Sequence, residues 1–105
     1  MVECNGVLYF EIHVAAAAAK QEMGMYEQTK ALLARYDELL EQFGSDRRHI
    51  LKAEIILRDN KEIDDLNRAW SEWIEDGYQP AKVTTVGASF GDPYLVGIVL
   101  TAAVR

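Results

Sequence analysis

Few side chains in this chain of 105 residues have the types and spacing that chemistry requires. Cys4 is the only cysteine, and His13 and His49 stand apart from other metal-ligand types, so the sequence predicts no metal site and no cofactor. Neither a glycine-rich phosphate loop nor a nucleophile elbow is present. The candidates that remain are a lysine and a glutamate in strand-like segments, Lys82 and Glu11.

Lys82 is the candidate cation. Its ammonium is a point charge that can hold an anion, although it lacks the two parallel hydrogen bonds that an arginine fork gives to a carboxylate. A strand lysine can equally extend along apolar surface to solvent and bind nothing. Glu11 could supply an acid/base carboxylate, or it could be an exposed strand residue. Sequence alone leaves both alternatives open.

Two apolar stripes at three- and four-residue spacing predict the helices that position these residues. The first stripe covers residues 26–43 and is followed by Gly44, which is typical of the position just after a helix. The second stripe follows Asp59 and Asn60, either of which can cap a helix. Gly77 is predicted to end this second helix.

Strands account for most of the remaining chain. The predicted strands share β-branched or aromatic runs bounded by turn residues, and they cover residues 2–4, 7–14, 50–57, 81–88 and 94–104. Asn5 and Gly6 suit a tight hairpin turn between the first two strands. Residues 15–25 are predicted as a connection with one helical turn. The order β-β-α-β-α-β-β predicts a single α+β domain over residues 1–105.

The predicted strands are apolar on both faces. Residues 55–57 and 95–100 do not alternate with polar residues, a pattern that is typical of strands buried on both sides. Two helices can cover only one face of a sheet, and the chain has no third long apolar stripe. Another subunit is the simplest cover for the second face.

Composition limits the partners. The net charge is -6 and the pI is about 4.8, and Arg47-Arg48 is the only basic pair, so nucleic-acid binding is not expected. The apolar run at residues 15–19 is too short to cross a bilayer, and no secretory signal precedes it, so no membrane association is expected. The single Cys4 suits a reducing cytoplasm.

Several short segments occur in the order and spacing of one known family. They are residues 26–33 with Gln28-Thr29, then Asp59, Asn67, Trp70, Pro80-Ala81-Lys82, and Ala102-Ala103-Val104-Arg105. Together they make residues 7–105 resemble the RidA/YjgF family, small trimeric proteins that hydrolyse reactive imines and enamines. Trp70 and Trp73, with residues 76–80, are most similar to a YoaB-like subgroup.

The resemblance implies a chorismate-mutase-like fold, in which a mixed sheet carries two helices on one face and closes into a trimeric barrel. The family clefts lie between subunits. The function implied for this chain is a homotrimer that binds a small anionic metabolite, a 2-imino or 2-oxo acid, with weak or absent deaminase activity. Two alternatives are an active 2-imino acid deaminase with a rearranged site, and a regulatory module that binds another protein.

The resemblance also assigns site residues. Lys82 occupies the position of the family arginine that grips the substrate carboxylate, and Asn67 matches an asparagine near the pocket. We therefore predict Lys82, Asn67 and Thr84 as substrate-binding residues. Asn67 could instead make a structural hydrogen bond to a nearby loop. Glu11 and Ile12 align with a Ser-Gly pair that lines the family pocket, and Glu11 is the predicted catalytic residue.

Gly97 is a departure from the family pattern. It falls where many members have a glutamate that positions the attacking water, in a triplet that reads Val96-Gly97-Ile98 here. A glycine cannot replace that carboxylate, which is the reason for predicting weak catalysis. Gly97 could alternatively mark a close approach of backbone within the sheet.

Overall fold

The computed structural model describes all 105 residues. The regular elements follow the predicted order and are β1 (Val2–Cys4), β2 (Val7–Tyr9), α1 (Met25–Gln42), β3 (Ile50–Leu57), α2 (Ile63–Trp73), β4 (Ala81–Val86) and β5 (Val96–Ala103). Short 3-10 turns at Ala16–Ala19 and Arg47–His49 precede α1 and β3. The connection predicted for residues 15–25 therefore does contain one helical turn.

The strands form one mixed sheet in the order β1-β2-β5-β3-β4. β3 and β4 are parallel, and α2 is the crossover between them, whereas the other neighbouring strands are antiparallel. β1 and β4 are the edge strands, and every residue of both is exposed. This arrangement confirms the predicted α+β fold with a mixed sheet.

Both helices pack on one face of the sheet and form the core with it. Alternate residues of the two central strands are fully buried on this face, among them Ile55, Leu57, Ile98 and Leu100. The helices contribute the apolar stripes seen in the sequence, with Tyr36 and Leu66 fully buried. Neither helix is both long and apolar enough to cross a membrane.

The other face of the sheet has no helix on it. It carries apolar side chains that are largely exposed, including Tyr9 at 50% and Val83 at 47%. Val99 and Ile56 lie nearer the centre of this face and are half-buried. The sequence prediction of a second apolar face therefore agrees with the structure, and this outer face is open to a partner.

The end of α1 was predicted correctly. Gly44 follows the helix with a φ of 80°, the left-handed conformation that glycine adopts without strain. The Ser45 amide donates to the Leu40 carbonyl at 2.8 Å, which closes the helix end.

The predicted ends of α2 were wrong. Glu62, not Asp59 or Asn60, precedes the first helical residue, because the Asp59 carboxylate accepts the Lys61 amide at 3.0 Å and forms a separate turn. The helix ends at Trp73. Gly77 has a φ of 86° in the turn that follows, so it shapes the connection to β4 and does not end the helix.

A buried glutamine holds the connection that precedes β5. Gln28 is fully buried, and its amide nitrogen donates to the carbonyls of Met23 and Pro93 at 3.0 and 2.9 Å. Its side-chain oxygen accepts the Leu95 amide at 3.0 Å. Gln28 thus fixes this connection on α1, and β4 and β5 are shorter than the predicted strands because the connection takes their flanking residues.

Candidate functional site

Lys82 extends from the edge strand β4 toward α2. It pairs in register with Ala53, a core residue, so its side chain is on the helix face of the sheet. The Lys82 ammonium nitrogen lies 5.3 Å from the ring centroid of Trp70, which is only 5% exposed. Such a contact attracts the ammonium by about 0.5–1 kcal/mol at an exposed site. The indole therefore forms a fixed wall beside the lysine.

Lys82 is a cation without an anionic partner. Each arginine of the chain forms an ion pair: Arg35 with Glu38, Arg47 with Asp37, Arg48 with Glu75, Arg58 with Asp92, Arg68 with Asp65, and Arg105 with Glu41. Lys82 forms none, and partial burial of its ammonium lowers its pKa below the usual 10.5. An incoming anion would restore charge compensation that the protein does not supply.

Thr84 and Asn67 are the other two residues predicted to bind the substrate. Thr84 is two residues along β4, and because it pairs with the core residue Ile55 it shares the helix face with Lys82. Asn67 lies one turn before Trp70 on α2, and its exposed side chain makes no hydrogen bond. A structural hydrogen bond does not account for Asn67 in this structure, which leaves its amide available for a ligand.

Glu11 lies at a bulge beyond the end of β2. The Phe10 and His13 amides bond to β5 at 3.1 and 3.0 Å, and Glu11 is part of the extra length between them. The Glu11 carboxylate is 62% exposed, accepts the Met1 ammonium at 2.6 Å and lies 3.6 Å from His13 Nε2. The hydrogen bond from the ammonium is the main cause that lowers the Glu11 pKa, so this carboxylate is ionised at neutral pH.

Glu11 and Lys82 are far apart within one subunit. The strand order places β5 and β3 between β2 and β4, so the two side chains are separated by about three strand spacings, roughly 14 Å. The structure therefore does not bring the predicted acid/base residue to the predicted substrate-binding residues. A site that uses both would need the β2 side of one subunit to meet the β4 edge of another.

Gly97 lies where the sheet is covered from outside by two side chains. A Cβ on Gly97 would be 2.8 Å from Ile12 Cδ1 and 2.8 Å from Phe90 Cζ. Gly97 pairs with Ile56, so this contact is on the outer face, opposite Lys82. The close backbone approach given as the alternative for Gly97 is not what the structure shows, because the nearest atoms belong to the side chains of Ile12 and Phe90.

A dense set of ion pairs joins the ends of the two helices and was not predicted. Arg47 donates to both oxygens of Asp37, at 3.2 and 2.7 Å, and to the Trp73 carbonyl at 2.7 Å. The Trp73 indole nitrogen also donates to Asp37, at 3.0 Å. Arg48 and Glu75 form a bidentate pair alongside. The four charged side chains line an open cavity of about 440 Å³, and they satisfy one another, so they stabilise helix packing.

The comparisons with known proteins agree with this geometry. A family model described as endoribonuclease L-PSP matches residues 1–104. A RutC family protein of Haemophilus influenzae is 40% identical over 90 residues, which cover 86% of this chain and 75% of that protein. The RutC family protein YoaB of Escherichia coli is 37% identical over 100 residues, which cover 95% of this chain and 84% of YoaB.

A solved structure supports the same assignment. The crystal structure of NMB1025 from Neisseria meningitidis, a member of the YjgF protein family, superposes with a TM-score of 0.89 and 30% identity. The match covers 98% of this chain and 83% of NMB1025. The chain belongs to the RidA/YjgF family. The predicted α+β fold, a mixed sheet with two helices on one face, and the predicted similarity to YoaB are therefore confirmed.

Membership of the RidA/YjgF family gives the contact at Gly97 a further meaning. By the sequence resemblance, Ile12 aligns with a family glycine and Gly97 with a family glutamate, so this chain has the larger side chain at the first position. Ile12 now extends into the space beside Gly97 that a side chain there would need. The two departures from the RidA/YjgF pattern thus compensate each other in volume.

No group of three or more histidine, cysteine, aspartate and glutamate side chains is arranged to hold a metal ion. The assignment of Lys82, Thr84 and Asn67 as substrate-binding residues stays a prediction; the structure places Lys82 and Thr84 on one face of β4 and Asn67 on α2. Sequence reasoning named these residues, but it missed the indole of Trp70 as the wall of the site. Its helical spacing indicated only a core residue.

Proposed function

We propose that this single-domain protein, residues 1–105, is a homotrimer that binds a small anionic metabolite in clefts between subunits. A 2-oxo or 2-imino acid fits the RidA/YjgF family and the chemistry of Lys82. The observation that carries the proposal is the unpaired ammonium of Lys82 beside the buried ring of Trp70. Thr84 adds a hydroxyl on the same face, and a carboxylate can accept hydrogen bonds from both groups.

The outer face of the sheet supports the assembly. Its exposed apolar side chains, such as Tyr9 and Val83, would be removed from water by neighbouring subunits. The open edge of β4 could then lie beside a neighbour's β2 region, which is where Glu11 is found. Neighbouring subunits would complete the site, because within one subunit the Trp70 indole borders Lys82 on one side only.

Turnover of an imine is expected to be weak. Lys82 lacks the bidentate geometry that orients a carboxylate, and Gly97 offers no carboxylate to place the attacking water. Losing one positioned acid/base group commonly lowers a rate by about 10²–10⁴-fold. A deaminase with a rearranged site would have to use Glu11, whose carboxylate is exposed and ionised, from a second subunit.

Nucleic acid is not the proposed ligand, although the family model carries the description of an endoribonuclease. The chain has a net charge of -6, and the basic pair Arg47-Arg48 is neutralised by Asp37 and Glu75. Phosphate binding needs clustered free cations. The exposed thiol of Cys4 suits a reducing compartment such as the cytoplasm.

Calorimetric titration with pyruvate tests the proposed binding, and pyruvamide is the matched ligand without a carboxylate. We expect pyruvate alone to bind, and we expect Lys82→Gln to weaken that binding by about 10–100-fold, since a hydrogen bond to a charged group contributes about 1.5–3 kcal/mol. Lys20→Gln is the control, because Lys20 is exposed and unpaired but distant in sequence from the site. Equal binding of both ligands would contradict the proposal.

Sedimentation equilibrium tests the assembly independently. A trimer is expected, and Val83→Asp should dissociate it, because a charge would be buried at the outer face. A stable monomer of the unmodified chain would exclude clefts between subunits. A trimer that binds no 2-oxo acid would favour the alternative of a regulatory module that binds another protein.

A further inference from the structure

A cavity of about 290 Å³ lies between the segment that follows β2 and the middle of α1. Residues 13–17 line one side of it, and Ala31, Leu32 and Arg35 line the other. Six of these eight residues are apolar, and the two polar ones are His13 and Arg35. Ligand sites usually measure about 300–1,000 Å³, so this cavity suits a small molecule with an apolar body and one polar group.

Short side chains leave this space open. The 3-10 turn Ala16–Ala19 carries only methyl groups, and the hydrogen bond from the Ala18 amide to the Ala15 carbonyl at 3.0 Å fixes its conformation. Ala31 contributes a methyl group from α1, and Leu32 beside it belongs to the core. Protein interiors leave few voids larger than a water molecule, so a space of this size between two ordered segments is available to a ligand.

The His13 side chain is a fixed wall of the cavity. Its backbone amide and carbonyl both bond to Ile98, at 3.0 Å each. Its ring packs edge-on against the Tyr36 ring, with the centroids 5.2 Å apart, and the Tyr36 hydroxyl donates to the Ile98 carbonyl at 2.8 Å. Little ordering of the imidazole is therefore needed when a ligand binds.

The His13 ring has hydrogen-bonding capacity that the chain does not use. Its Nε2 is buried without a hydrogen-bond partner, and Glu11 Oε1 lies 3.6 Å away, beyond hydrogen-bond distance. Nδ1 belongs to the accessible part of the ring, and it also has no partner within the chain. Imidazole nitrogens in folded proteins are normally paired, and an N–H at Nδ1 can donate to a ligand oxygen.

Arg35 supplies a positive charge at the opposite wall. Its side chain is 55% exposed, and its guanidinium makes one hydrogen bond, to the Glu38 carboxylate at 3.1 Å. Exposed ion pairs of this kind are weak, and most of the N–H donors of the guanidinium remain free. No aspartate or glutamate is among the residues that line the cavity. The charges at the cavity therefore favour an anion over a cation.

We infer that this cavity is a second binding site, which takes short aliphatic monocarboxylic acids. The aliphatic chain lies against Ala15 and Ala31, and the carboxylate accepts hydrogen bonds from Arg35 and His13. This site is separate from the one proposed at Lys82. His13 follows β2, whereas Lys82 is on β4, and β5 and β3 lie between these two strands.

Titration with pentanoate at constant pH tests the site on the intact protein. The chain has two histidines, so the ring C–H resonances of His13 and His49 can be followed by proton NMR and assigned with His49→Gln. We expect a saturable shift of His13 and none of His49. Pentanamide lacks the charge and should bind at least about fivefold more weakly. Acetate lacks the aliphatic chain and should bind at least about tenfold more weakly.

Two variants locate the binding. Ala31→Leu fills the cavity with a residue that suits a helix, and it should abolish the His13 shift. Ala34→Leu is the matched control, because it makes the same change on the same helix outside this cavity, and it should keep the shift. Arg35→Gln keeps the cavity open and should weaken pentanoate binding by about fivefold.

Three results would overturn the inference. They are equal shifts of His13 and His49, an unchanged His13 shift in Ala31→Leu, and equal affinities for pentanoate and pentanamide. None of them bears on the pyruvate titration, which reports the separate site at Lys82, so the two proposals can fail independently.

Discussion

Replacing Gly97 with alanine puts a methyl group where two side chains already lie. The added Cβ would be 2.8 Å from both Ile12 Cδ1 and Phe90 Cζ, whereas carbon atoms pack at about 3.5–4.0 Å. The family glutamate would begin with the same Cβ, so alanine measures the obstacle without adding a charge. The question is whether Ile12 is the reason for a glycine in the middle of β5.

The magnitude follows from two opposing effects. Overpacking of this kind costs about 1–3 kcal/mol. Alanine in place of glycine in an extended strand stabilises a protein by about 0.4–1 kcal/mol through the unfolded chain. Gly97→Ala should therefore lower the free energy of unfolding by about 0.5–2 kcal/mol. With Ile12→Ala already present, half of the obstacle is gone, and the cost should shrink by at least about 0.5 kcal/mol.

Urea unfolding of the two single variants, the double variant and the unmodified protein gives the coupling energy. All four proteins need the same concentration, because assembly contributes to apparent stability. Val83→Ala is the control background, since Val83 is also an exposed apolar residue but is not among the atoms nearest Gly97. Additivity of Gly97→Ala and Ile12→Ala within about 0.3–0.5 kcal/mol would refute the compensation argument.

Three further outcomes are expected. Asp37→Ala should lower the free energy of unfolding by about 1–3 kcal/mol in urea titrations, because it leaves the Trp73 indole nitrogen without its acceptor and removes the carboxylate that Arg47 pairs with; a loss below about 0.5 kcal/mol would contradict this role. Hydrogen bonds from His49 and Arg48 lower the pKa values of the Asp46 and Glu75 carboxyls, respectively. The stability that these pairs contribute is therefore complete above the ordinary pKa values, 3.8 for Asp46 and 4.5 for Glu75, and is lost as pH falls further. Acid titration of the melting temperature should show this decline, and an unchanged melting temperature would count against it. Filter retention should detect no RNA binding at 200 mM salt, about the upper end of the range over which phosphate contacts weaken strongly, and retention there would contradict the charge argument.

The sequence predicted the fold well where the signal was local. The helical stripe over α1 and the glycine at its end fixed that helix, and β-branched runs located the central strands. The start of α2 was missed because Asp59 is a good capping residue that instead binds the amide of Lys61, two residues later. A single sequence does not show which of two local hydrogen bonds a carboxylate will make.

The candidate site was predicted only in part, because its decisive contacts join distant segments. The family resemblance named Lys82 and Thr84, but the ring of Trp70 beside Lys82 comes from a different element. The contact between Ile12 and the space above Gly97 joins β5 to the segment beyond the end of β2. Periodicity describes one element at a time, so neither contact has a sequence signature.

The exposed edge strand also affects whether this protein aggregates. All residues of β4 are exposed, and one side of its backbone has no strand to pair with. An uncovered edge is a template on which any extended chain can add, and this is a route to aggregates. Lys82 and Thr84, two of the residues proposed to bind the ligand, are on that same strand. A substitution that prevents the proposed assembly from covering β4 is therefore expected first to reduce the amount of intact protein in cells. A loss of function in cells would then reflect degradation of the protein before it reflected weaker ligand binding.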